Sequence, residues 1–411
     1  MNNPKSNAAG NGRMNLAIQG GRVPGQFDFG LSVSQEERAA RLHHESIVFD
    51  MLSMYAGGNI FAHFPSELQD EFRAKMATIE RRSEKWVEAV FWPFEMCTIG
   101  RSDLAKQWML GSGLTCGCYD IDIPVYDGGD PLSCPWEAKL ERYTKLPWLR
   151  LVTSAADIRN AKSDGVIGIY ANYQPVVPLV RDLKAIDVGY GKGIRSLMLT
   201  YNRMDNVGVG CTDRVDAGLS MFGVDVVRRC NELGIMVDTS HCGALTTLDA
   251  CRQSKKPVNA NHTAARSLYD HPRAKTDECL RAIADTGGVI GVLAVPYFLA
   301  DKPGASVERM LDHIDYIAYR VGWQHVAIGT DWPLQLPDDV LRATLGSEEH
   351  RKDVGWSADN WRDVTARLVG FEDVRDLPNI TRGLVKRGYS DEQVRGILGE
   401  NALRVFQEVC G

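Results

Sequence analysis

Short apolar runs of strand length recur along this chain, and segments with helical spacing separate them. The runs cover residues 46–51, 114–123, 165–170, 195–199, 235–238, 257–261, 288–293 and 325–329. Helical patterns fill 219–233, 243–254, 276–286 and 306–321. A strand that follows a helix and rejoins its predecessor's sheet pairs in parallel, so this alternation predicts a parallel α/β sheet. Eight such runs suit a closed (β/α)8 TIM-like barrel, with a doubly wound open sheet as the alternative.

A chain of 411 residues suggests two or three domains by length alone, yet barrels reach this size as one unit. Residues 27–411 are expected to form that single domain. Two stretches exceed the bare alternation. Residues 66–110 read as a helical insertion after the first strand, rich in Trp86, Phe91, Trp92, Phe94 and Trp108, and 338–411 read as helices after the last. Residues 1–26 are polar, Asn- and Gly-rich, and read as a flexible tail. They lack the apolar core of a secretory signal, so a cytoplasmic location is expected. No run of 18 apolar residues occurs, which argues against a membrane span. The net charge of -6, with Lys and Arg scattered, argues against a nucleic-acid partner held by a broad positive field. The ten cysteines sit largely in apolar segments and read as core thiols.

In a parallel barrel the chemistry gathers at the C-terminal ends of the strands. The fifth run, IMVDTSHCG, ends in Asp238, Ser240 and His241. The sixth ends in Asn261 and His262, and the eighth, HVAIGTDW, in Thr330, Asp331 and Trp332. Two imidazoles and a carboxylate on rigid strand ends can hold one divalent metal and leave a position for water. Such an ion lowers the pKa of its water and polarises a carbonyl, which is the chemistry of hydrolysis. The plainer reading of any one of these histidines is a hydrogen-bonded core residue; their coincidence on three strand ends favours the metal. Asp238 reads as a helix cap or an orienting group. After His262, the loop carrying His271 and Arg273 offers a guanidinium for a substrate carboxylate, or a surface ion pair with Asp270 or Asp277. No HExxH, GxSxG or P-loop is present.

VDTSHCGALTTLDA, PVNANHTAARSLYDHPRAKTDE, TGGVIGV, HVAIGTDW and LPNITRGLVKRGYSDEQVRGILGENALRVF together resemble the membrane (renal) dipeptidase family of zinc peptidases, peptidase family M19. The resemblance runs in order over roughly residues 45–408. It implies an amidohydrolase-type barrel, often dimeric, in which two zinc ions share a hydroxide that cleaves a dipeptide. It implies that His241 and His262 hold one zinc, that Asp331 stands beside metal and water, and that Arg273 takes the substrate carboxylate. The chain departs from the pattern where the family's first strand supplies a His-x-Asp pair. Here FDMLSM puts Leu52 and Met54 in those places, and neither side chain can replace a hard ligand. Tyr170 stands where the bridging Glu is expected, with Asn172 nearby, and Tyr201 replaces a substrate-contacting His.

Half of the expected ligand positions are therefore lost, all of them serving the second ion or the bridge. The first expectation is a mononuclear hydrolase, zinc being the first candidate, with His241, His262 and Asp331 as ligands. Its substrate would be a small carboxylate-bearing molecule, within specialised metabolism. Asp331 would also act as base, Tyr201 as oxyanion donor, and Arg273, Tyr170, Asn172 and Trp332 as substrate contacts. A lyase, decarboxylase or isomerase on the same scaffold, or a silent ligand-binding homologue, are the alternatives. A homodimer is implied by the resemblance alone.

Overall fold

The computed structural model of the chain describes residues 23–53, 60–120, 136–174, 182–301, 304–331, 336–357 and 363–411. Eight strands lie among them: β1 (Cys116–Asp120), β2 (Leu149–Leu151), β3 (Ile167–Tyr173), β4 (Ile194–Met198), β5 (Met236–Asp238), β6 (Val258–Thr263), β7 (Ile290–Val292) and β8 (Val326–Ile328). All pairings between them are parallel, in the order β1-β3-β4-β5-β6-β7-β8, with β2 beside the start of β3. The expected first strand appears as two bridging residues. Phe49 pairs with Cys116 and Asp50 with Ile328, so this short segment joins β1 to β8 and closes the ring. The fold is the expected (β/α)8-type barrel, with β2 as a short addition.

Alternation along the strands decides which side chains fill the ring. On β3, Ile167, Ile169 and Ala171 pack outward in the large core shared with the helices. Tyr170 packs with Phe49, Cys116, Cys118, Met236 and Ala327, a second core drawn from strand positions around the ring. The helices Ala155–Asp164, Met221–Leu233, Ala244–Gln253, Asp277–Asp285 and Val307–Val321 cover the outside. Gly165 (φ 68°) and Gly234 (φ 82°) end the helices that lead into β3 and β5. The left-handed conformation there favours glycine.

The C-terminal helix Asn401–Cys410 closes the N-terminal end of the barrel. Phe406 packs edge-on to Phe49 and Tyr170 at 6.0 and 5.7 Å, and Asn401 donates to the carbonyls of Trp323 and Val326. The wall is tight at β6. A methyl group on Gly291 or Gly329 would stand 1.9 or 1.7 Å from the Asn261 carbonyl oxygen, so only glycine fits at either position.

After the first segment come the helices Ser66–Thr78, Arg82–Thr98 and Leu104–Gly111. Gly25 and Phe27 donate backbone N–H groups to Asp376 and Asn379, so docked chain begins inside the stretch read as a 1–26 tail. Residues 1–22 lie outside the described residues. Among the described residues no helix is long and apolar enough to cross a membrane, and the described cysteines are free thiols.

Candidate active site

The polar ends of β5 and β6 are built as one unit. Asp238 Oδ1 accepts from the Ser240 N–H (2.9 Å), the Ser240 hydroxyl (2.5 Å) and the Asn261 N–H (2.9 Å). The Ser240 oxygen in turn accepts from the His262 N–H at 3.0 Å. These bonds fix the two backbones from which His241 and His262 project. Asp238 is thus an organiser of the strand ends.

The imidazoles then converge. His241 Nε2 and His262 Nε2 stand 3.0 Å apart. His241 Nδ1 lies 2.7 Å from Asn202 Oδ1, and its ring stacks on the partly exposed Tyr201 at 4.0 Å between centroids. An amide oxygen accepts, so Nδ1 carries the proton and Nε2 presents its lone pair. Asn202 adopts a left-handed φ of 58°, and a methyl group on Gly210 would lie 2.0 Å from its backbone. A non-glycine residue held in that region marks a constrained site. Burial pushes both imidazoles well below their usual pKa, and Arg273 and Lys275 add to the effect, so both rings are neutral. His262 Nδ1 has no partner among the described residues.

Arg273, the expected substrate-carboxylate clamp, is 1% exposed. Nη1 donates to the Ser240 carbonyl (2.6 Å) and Nη2 to the His262 carbonyl (2.9 Å). The guanidinium braces the backbone beneath the imidazoles through Nη1 and Nη2, and its Nε has no hydrogen-bond partner among the described residues. Lys275 acts alike, donating to the Thr239 and Cys242 carbonyls and the Thr247 hydroxyl. Only the fold shows that two cations point inward here.

Tyr170 and Asn172 lie on β3 facing into the ring, both 0% exposed. Tyr170, an expected substrate contact, packs against Phe49 and Phe406 and donates to the Met51 carbonyl. Asn172, also an expected substrate contact, is buried near the C-terminal end of β3. Trp332 and Met54 lie outside the described residues.

Asp331 follows β8 in the left-handed region (φ 50°) and donates its N–H to the Leu52 carbonyl at 2.7 Å. Burial raises its carboxyl pKa to about 7; Arg273 opposes this, and Asp50 and Asp238 add to it. Asp50 was not singled out in the sequence. Its carboxyl is fully enclosed and accepts from the Thr330 N–H and hydroxyl and the Leu52 N–H. Asp50 lies two residues before Leu52.

The family model for membrane dipeptidase (peptidase family M19) matches residues 140–345 and 346–410. The chain belongs to the membrane dipeptidase family. This M19 chain is similar, at 29% identity over 68% of its length and 98% of the relative's, to a Klebsiella pneumoniae protein described as an uncharacterized protein in the pqqA 5' region. It is similar in structure to an amidohydrolase from Pseudomonas aeruginosa (TM-score 0.68, 29% identity, 91% of this chain and 99% of that one). A Rhodobacter sphaeroides metallo peptidase liganded with a phosphinate mimic of the dipeptide L-Ala-D-Ala shares the fold (TM-score 0.63, 19% identity, 89% and 100% coverage).

M19 dipeptidases are metal-dependent hydrolases, so the donor set can be tested against a metal. Two neutral imidazoles with converging Nε2 atoms, one anchored through Nδ1, fit two ligands of a single divalent ion. The second ion is not fitted: Leu52 is buried and apolar, and Tyr170 is engaged by the Met51 carbonyl. Among the described residues no three His, Cys, Asp or Glu side chains are gathered as an ion would require. Asp331, the expected third ligand, follows β8 with its raised carboxyl pKa.

Proposed function

We propose that this M19 chain is a mononuclear hydrolase that cleaves an amide or related bond in a small carboxylate-bearing molecule. The observation that carries the reading is the pair of Nε2 atoms 3.0 Å apart, with His241 held through Asn202. His241 and His262 would hold one divalent ion, zinc being the first candidate, because neutral imidazole suits it. That ion, when bound, supplies an acidified water and a polarised carbonyl. Asp331 takes the proton of the attacking water on a carboxyl oxygen and later returns it to the leaving nitrogen. A pKa near 7 suits both duties near neutral pH. Tyr201, partly exposed beside His241, donates its hydroxyl hydrogen to the oxygen that gains charge. Specialised metabolism fits a dipeptidase barrel stripped of its second ion. A cytoplasmic homodimer is the working form in this reading.

Hydrolysis is tested in water enriched in oxygen-18, with L-Ala-D-Ala and other small carboxylate-bearing amides as probes. The reading expects one labelled oxygen in the new carboxylate. Turnover without label would make the chain a lyase or isomerase instead.

A further inference from the structure

The seam where the barrel closes carries a carboxyl that the hydrolytic scheme does not use. Asp50 belongs to the two-residue segment that joins β1 to β8. It is 2% exposed and has no cationic partner within hydrogen-bonding distance among the described residues. A carboxylate so enclosed persists only where several donors meet it. Here all of them are local: the Thr330 N–H at 2.8 Å and the Leu52 N–H at 3.2 Å reach Oδ1, and the Thr330 hydroxyl reaches Oδ2 at 2.6 Å.

Thr330 immediately precedes Asp331. Its carbonyl accepts from the Ala294 N–H at 2.8 Å, so it is held from the β7 side as well. Asp331 then crosses back to the first segment through its bond to the Leu52 carbonyl. Leu52 thus gives its N–H to Asp50 and its carbonyl to Asp331. These bonds surround a residue whose left-handed backbone costs free energy unless its surroundings dictate it.

We propose that Asp50 is a positioning residue: by gripping the N–H and hydroxyl of Thr330 it holds Asp331, the next residue, in its left-handed conformation at the end of β8. The proposal rests on the reading of Asp331 as the proton-accepting group. It also accounts for the polar end of the first segment in a chain that places Leu52 at a ligand position: the carboxylate there serves the backbone of β8.

The test uses the full chain with Asp50→Ala, Asp50→Asn and Thr330→Val. Hydrogen exchange at the Asp331 amide is read against the Ala260 amide of β6, alongside hydrolysis of L-Ala-D-Ala. Loss of charge-assisted bonds in Asp50→Ala should speed exchange at Asp331 by about tenfold or more while Ala260 stays as in the wild type. On the probe, kcat should fall by about tenfold with KM within about twofold. Asp50→Asn keeps an acceptor oxygen for the two N–H groups and should recover much of both. Where Asp50→Ala does not fold, Thr330→Val decides, with Asp331 exchange faster by about threefold or more expected. Wild-type exchange at Asp331 in the folded variant would overturn the proposal. Full hydrolysis by Asp331→Asn would instead overturn the functional reading, and the exchange comparison would still judge the grip of Asp50.

Discussion

Asp331 is the residue in which local strain, burial and chemistry meet. Its backbone is left-handed and its carboxyl pKa is raised to about 7 by burial, with Asp50 and Asp238 adding to the rise. The unfolded-state value is about 3.9. A raised carboxyl contributes stability that is full at pH below about 4 and is lost as pH rises through about 7. Asp331→Asn should therefore melt higher than the wild type at pH 8, by about 1 kcal/mol or more, while hydrolysis falls by at least about a hundredfold. Thermal melts at pH 5 and 8 check this; a variant less stable at pH 8 than the wild type would contradict it. The imidazoles and Asp331 were legible in the sequence because strand-end polarity and the family motifs both mark them. Asp50 was not, since a carboxylate that serves backbone N–H groups has no spacing signature. Nor was the inward turn of Arg273, because a guanidinium's direction is set by which carbonyls the fold brings beneath it.

Among the elements, the strands were legible where apolar length and polar ends coincide. The expected runs correspond to seven of the eight described strands and the bridging segment at Phe49 and Asp50. The three-residue β2 escaped, because LRL is too short to show a period and pairs only with the start of β3. The roles of Tyr170 and the C-terminal helix were hidden as well. The ring of Phe406 comes from that helix, far along the chain, and meets Phe49 and Tyr170 inside the barrel. Packing of this kind depends on which elements the closed sheet brings together. Phe406→Ala should cost about 3–5 kcal/mol, since a large buried ring leaves a cavity at an end the helix must seal. Urea unfolding measures it, and metal content should stay unchanged because the imidazoles stand at the other end. A cost below about 1 kcal/mol would mean that the helix does not seal the barrel as described.

At the scale of the whole molecule, the barrel buries neutral histidines on its outer side as well as in its site. His313 accepts from the Ala265 N–H (3.0 Å) and donates to the Leu299 carbonyl (3.2 Å), and burial pulls its pKa down to about 4. A depressed histidine contributes stability that is present above pH about 6.5 and lost as pH falls toward the folded value. The cost of His313→Gln should therefore be smaller at pH 5 than at pH 8, by about 2 kcal/mol, because only the wild type titrates in that window. Equal costs at both pH values, from urea midpoints, would contradict the assignment. The fold and the family were legible in the chain as a whole, and the reduced ligand set was legible in Leu52, Met54 and Tyr170. What the folded chain adds is the set of bonds from Asp238, Ser240 and Arg273 that holds the backbone of the imidazole pair. In the proposed function this pair is what remains of a two-ion centre. Its most direct test is metal content per chain after zinc loading and removal of free ion, in the wild type and in His241→Ala and His262→Ala. About one ion is expected in the wild type and less than about 0.2 in either variant. Two ions in the wild type, or an unchanged content in both variants, would contradict it.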